Sequence, residues 1–78
     1  MEEEKTKIAH LNLTTNKKSI LAYLIEAKKI AQVAAHFDLT YNYVSQIFAV
    51  WVYKSWIRKL YTDSGKVIYK LNTEVLEV

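Results

Sequence analysis

Cysteine is absent from this 78-residue chain, which excludes disulfides and thiolate metal sites. Its two histidines, His10 and His36, lie far apart and have no evident co-ligands, so neither a metal nor a cofactor is expected. No uninterrupted apolar run approaches the roughly 20 residues that a membrane span needs. Glycine occurs once, at Gly65. Gly65-Lys66 runs into Val67 with no earlier glycine, so there is no phosphate loop. Ser19, Ser45, Ser55 and Ser64 have no nucleophile-elbow context, and no carboxylate pair has an evident pocket. Together these absences predict a protein that is not an enzyme and has no evident small-molecule effector. The opening Met1-Glu2-Glu3-Glu4-Lys5 is acidic and polar, unlike a secretory signal, so the expected location is cytoplasmic. Asn12-Leu13-Thr14 then matches a glycosylation acceptor only by chance.

What remains is one domain's worth of chain. Apolar residues make up 51% and charged residues 24%, the balance of a folded globule and not of a disordered tail. A chain this short buries only about 60% of its unfolded surface, so oligomerisation is the one staple left open. The formal net charge is +3 with a pI near 9.2. Its distribution is more informative than its sum. Between Lys54 and Lys70, the basic residues Lys54, Arg58, Lys59, Lys66 and Lys70 stand against Asp63 alone.

Periodicity divides the chain into an N-terminal extension over 1–15, a domain over 16–72 and a tail over 73–78. In the extension, Ile8, Leu11 and Leu13 fit a short strand or an added helix equally well, and the acidic tip is expected to fray. Thr15 and Asn16 are suitable N-caps. Ile20, Leu21, Leu24 and Ile25 then recur at helical spacing, giving a first helix from Lys17 to about Ala27. Lys28-Lys29 interrupts it. Ile30, Val33, Ala34 and Phe37 mark a second helix over 30–37, and Asp38-Leu39-Thr40 is a tight connector. Thr40 caps a third helix, Tyr41 to about Ser55, with Val44, Phe48, Trp51 and Ser55 on one stripe and Tyr41, Asn42, Ser45, Gln46 and Ala49 opposite. Strands are predicted over Trp56–Thr62 and Val67–Asn72, with Gly65 where a hairpin loop needs a positive φ. Trp51, Trp56, Phe37 and Phe48 are expected in the core, and Tyr61 and Tyr69 are expected to pair across the hairpin.

The order is helix, helix, helix, hairpin. Ile30-Ala31-Gln32-Val33-Ala34-Ala35-His36-Phe37-Asp38-Leu39-Thr40 is similar to a positioning helix and turn, and Tyr41-Asn42-Tyr43-Val44-Ser45-Gln46-Ile47-Phe48 to a recognition helix. Trp56-Ile57-Arg58-Lys59 and Gly65-Lys66-Val67-Ile68-Tyr69-Lys70-Leu71 are similar to a β-wing. Over residues 16–72 the chain therefore resembles the winged helix-turn-helix DNA-binding family. That implies an α+β, mostly α fold: three helices and a C-terminal two-stranded wing. Two departures stand out. Asp38 and Ser55 occupy positions where the family often has glycine, and no arginine or lysine lies beside Ser45.

The resemblance implies sequence-specific binding of double-stranded DNA by a small transcriptional regulator. The third helix would enter the major groove. Asn42, Ser45 and Gln46 would meet base edges or nearby phosphates, and Gln46 is the best base reader because an amide pairs bidentately with adenine. Thr40 and Tyr41 would meet phosphate at the helix start. The wing, about Trp56–Asn72, would bring Arg58, Lys59, Lys66 and Lys70 to the adjacent backbone or minor groove, although strand neighbours such as Arg58 and Lys59 point to opposite faces. Lys17, Lys18 and Lys54 are candidate phosphate contacts. The plainer alternatives are a solvated helix face and edge-strand lysines that discourage aggregation.

Ile47, Val50, Val52 and Tyr53, with the core stripe, make the third helix apolar nearly all round. Leu71, Val75, Leu76 and Val78 add to this at the C-terminus. The surplus points to a homodimer, which would offer two recognition helices to a palindromic site. Two other uses of the same fold compete: a winged-helix protein–protein interaction module, and a non-specific architectural nucleic-acid binder.

Overall fold

A computed structural model describes residues 5–78; the acidic tip, and the fraying expected of it, lie outside the described residues. The first helix, α1, spans Thr15–Tyr23. Its cap is Thr14, one residue before the expected pair, and the Thr14 hydroxyl accepts from the Lys17 amide at 3.3 Å. The helix ends four residues short of Ala27 because a later strand claims the next backbone groups. The Leu71 amide donates to the Leu24 carbonyl at 2.7 Å, and Lys28 and Tyr69 exchange two bonds at 2.9 and 2.8 Å. Ile25, expected on the core stripe, is consequently exposed.

Helix α2 covers Ile30–Phe37 and buries Ile30, Val33 and Ala34. It stops at Asp38, whose φ of 55° and ψ of 51° are left-handed. There the Leu39 amide reaches back to the Ala34 carbonyl at 2.8 Å, closing the helix end. Helix α3 covers Tyr41–Tyr53, and the Thr40 hydroxyl accepts from the Tyr43 amide at 3.1 Å. It ends short of the expected Ser55 because Ser55 itself has a φ of 63°. Trp56 then bonds back to the Trp51 carbonyl at 2.9 Å. Both positions where glycine would be easiest thus hold a left-handed aspartate and serine, and each terminates a helix.

Strands β2 (Ile57–Tyr61) and β3 (Val67–Leu71) form an antiparallel hairpin. Gly65, at φ 82°, closes it, with Thr62 and Lys66 bonded across the loop at 2.8 Å. That closure fixes a register in which Lys59 faces Tyr69 and Tyr61 faces Val67. The expected Tyr61–Tyr69 pair therefore does not form. Tyr69 is buried with its ring 4.8 Å from that of Phe48, whereas Tyr61 is 67% exposed. The opposite edge of β3 is occupied at Tyr69 by Lys28.

The flanking segments join the same core. A short strand, Thr6–Lys7 (β1), pairs in parallel with Leu76–Glu77 (β4), and a single 3₁₀ turn follows at Ile8–His10. Of the residues left open between strand and helix, Ile8 falls in the turn and Leu11 and Leu13 in irregular chain, so neither element runs through all three. Ile8 and Leu76 are buried beside Ile20, Leu21, Leu24, Phe48 and Trp51, while Phe37 and Trp56 are half-buried against that cluster. Three helices and an antiparallel hairpin thus enclose one core in an α+β arrangement. Among the described residues, no helix is long and apolar enough to cross a membrane.

Much of the apolar surplus is absorbed internally. Ile47, Leu71 and Leu76 are buried, and Val52 and Val75 pack partly against the core. Of the residues that pointed to a second subunit, Val50, Tyr53 and Val78 remain exposed.

Candidate nucleic-acid interface

The buried stripe of α3 is Val44, Ile47, Phe48 and Trp51. Helical geometry sends Asn42, Gln46, Ala49 and Tyr53, spaced by three and four, to the other side, and all four are exposed. The N-terminal half of this strip offers amide side chains. The C-terminal half offers Ala49 and Tyr53, flanked by Val50.

On one flank of α3 lies a cleft of about 490 Å³ bordered by Lys29, Tyr41, Ser45, Lys59 and Lys66, with Tyr69 among its walls. Its three lysines come from three places in the chain: the cap of α2, the middle of β2 and the hairpin tip. Among the described residues the ion pairs are Lys28–Glu26 at 3.6 Å and Arg58–Glu74 at 2.7 Å, and neither involves these lysines. Among the described residues no carboxylate pairs with them, so the cleft gathers positive charge from three lysines. Lys29 has a pKa below its ordinary value of 10.5, first through repulsion by the Lys66 ammonium.

On the other flank a groove of about 300 Å³ collects Lys17, Tyr43, Gln46, Lys54 and Trp56. The Lys54 ammonium sits 4.7 Å from the centre of the Trp56 ring, which holds the cation at the groove's rim. Gln46 and Lys54, separated by two helical turns, thus border one depression with Lys17 from α1.

The remaining candidates do other things. Arg58 and Lys70 are register partners on the far face of the wing, away from Lys59, as strand alternation requires. Arg58 is engaged there by Glu74 and by the Asn72 side-chain oxygen at 3.3 Å. The Lys18 ammonium donates to the Ala9 carbonyl at 3.1 Å and ties the N-terminal turn to α1. The Thr40 hydroxyl is occupied as a helix cap. His36 stacks on Tyr23 at 4.2 Å and is part of an aromatic cluster with Phe37. Among the described residues no three metal-ligating side chains come together.

Lys29 was not among the residues singled out from sequence. Its one visible signal is its place between two helices, in the Lys28-Lys29 pair. That Lys29 lies beside the wing follows only from the Lys28–Tyr69 bridge. Comparison with known protein families, curated proteins and solved structures yields no match to this chain.

Proposed function

We propose that the chain is a winged helix-turn-helix protein that binds double-stranded DNA as a small transcriptional regulator. Helix α3 enters the major groove and presents Asn42 and Gln46 to base edges, with Ser45 beside a nearby phosphate. The basic cleft on one flank, which Ser45 borders, and the Lys17–Lys54 groove on the other meet the two sugar–phosphate backbones that border the groove. The single observation behind this reading is the meeting of Lys29, Lys59 and Lys66, without an acidic partner among the described residues, beside the first turn of α3. Arg58 and Lys70, on the far face of the wing, are left out of the contact surface.

Pairing of two copies is a further part of the proposal and rests on Val50 and on Tyr53, which is 89% exposed. These residues follow the polar half of α3, where the helix would leave the groove. The same exposed pair supports the competing reading of a protein-docking module.

Fluorescence anisotropy with random duplex DNA at low and moderate salt tests the reading. Five lysines at phosphates give a slope of log K against log salt of about −4 to −5. No binding at low salt would overturn it and leave the docking module.

A further inference from the structure

Three lysines that no local sequence feature groups together are brought to one cleft by three separate pieces of backbone. Lys29 is placed by the capping of α2, where its amide donates to the Gln32 side-chain oxygen at 2.9 Å. The Lys28–Tyr69 bridge pins the same segment to β3. Lys59 is placed by its register opposite Tyr69, and Lys66 by the bonds that close the hairpin at Thr62. These anchors lie in the backbone and hold the bases of the three side chains together. The fold thus brings Lys66 to the cleft that Lys29 lines, and its ammonium lowers the Lys29 pKa. Two neutral hydroxyl groups, on Tyr41 and Ser45, border the same space and can donate hydrogen bonds.

A cluster of ammonium and hydroxyl donors with no carboxylate among the described residues is half of an interaction. Its complement is a compact anion with several acceptor oxygens and at least one full negative charge. A phosphate fits this description, and the cleft, at about 490 Å³, has the volume to admit one. An anion between Lys29 and Lys66 would also convert their mutual repulsion into two attractions.

From this geometry we infer that the cleft is a discrete phosphate-binding site, with Lys29, Lys59 and Lys66 as its cations and Tyr41 and Ser45 as its neutral donors. The inference rests on the DNA-binding reading only for the source of the phosphate. A backbone phosphodiester and a free phosphate present the same oxygens to the same groups.

The test uses the full chain and four proteins: wild type, Lys29→Ala, Lys66→Gln and, as a control on the far face of the wing, Lys70→Ala. Far-ultraviolet circular dichroism establishes that each is folded. Inorganic phosphate is titrated against chloride at constant ionic strength and followed by amide NMR shifts, and a random duplex is titrated in parallel. The expected result is phosphate-dependent shifts at Tyr41, Ser45 and Lys66 in wild type and Lys70→Ala, lost in Lys29→Ala. Duplex affinity is expected to fall roughly fivefold in Lys29→Ala and in Lys66→Gln, with a salt slope smaller by about one. Phosphate shifts without duplex binding would support the site with free phosphate as its ligand and overturn the DNA reading. Duplex binding that Lys29→Ala weakens no more than Lys70→Ala, with no phosphate shifts in wild type, would overturn the site and leave the DNA reading standing.

Discussion

The side-chain amide of Asn72 donates to the carbonyl of Ser55 at 2.8 Å, joining the end of the hairpin to the left-handed residue that ends α3. Its oxygen accepts from the Arg58 guanidinium at 3.3 Å and the Glu74 amide at 3.2 Å. Asn72 is the one buried polar residue among those described; its bond to Ser55 ties the end of the wing to the end of α3, and the other two tie it to β2 and to the tail.

Replacing Asn72 with alanine removes all three bonds at once and leaves the Ser55 carbonyl without its side-chain donor in a part-buried junction. The expected loss is about 1–3 kcal/mol, read as a lower urea midpoint. An unchanged midpoint would show that the junction is held by backbone bonds alone.

Ser55 and Asp38 hold left-handed backbone that costs a residue with a Cβ roughly 1–2 kcal/mol. Part of the gain from glycine is lost to its freer unfolded state. Ser55→Gly is therefore expected to stabilise the fold by about 1 kcal/mol, or about 4–8 °C in melting temperature for a domain of this size. The gain should be smaller at Asp38, since aspartate tolerates this region better than serine does. A lower melting temperature for Ser55→Gly would contradict the assignment.

The tail beyond the hairpin belongs to the core. Leu76 is fully buried, and its amide bonds to the Asn72 carbonyl at 2.9 Å. Leu76→Ala should cost about 2–5 kcal/mol, and removing residues 73–78 should unfold the chain or nearly so. Thermal melts of both variants check this. A truncated chain as stable as the whole would mean that β4 contributes nothing.

Lys29 links stability to pH with a definite sign. Its folded pKa is lowered below 10.5, so in the window just under that value the unfolded chain binds more protons than the folded one. Stability from this group therefore rises as pH climbs through the lowered folded pKa towards 10.5. At neutral pH, with both lysines charged, the repulsion is present in full. Lys66→Gln should raise the melting temperature slightly at neutral pH, and the difference should close above pH 10.5. A difference independent of pH would assign the effect to something other than the Lys29–Lys66 repulsion.

Gln46→Ala tests base readout on the exposed strip of α3. If its amide pairs with a base, the preferred sequence should lose about 1–3 kcal/mol relative to random duplex. Lys66→Ala should weaken both alike. Competition titrations with a selected site and a scrambled one distinguish the two, and a Gln46→Ala protein with unaltered preference would remove Gln46 from the readout.

Local signals in the chain determine a good deal by themselves. The spacing of Val44, Phe48 and Trp51 commits one side of α3 to the core and leaves Asn42 and Gln46 outside, because 3.6 residues per turn permit little else. Thr40 starts that helix, and Gly65 sits where the hairpin turns, each through an interaction that spans a few residues. Alternation alone puts Arg58 and Lys59 on opposite faces.

Long-range pairing decided what such signals cannot carry. Nothing near Leu24 ends α1; the amide of Leu71, far along the chain, takes its carbonyl. Nothing near Thr6 predicts a parallel partner at Leu76. The hairpin register, set by the Thr62–Lys66 closure, buried Tyr69 and left Tyr61 outside. Lys29 entered the basic cleft because its neighbour Lys28 bonds to β3, a contact between segments some 40 residues apart. Periodicity is a property of one segment and can be read from it. Which segment meets another depends on the whole core closing at once, and that closure assembled the lysine cleft.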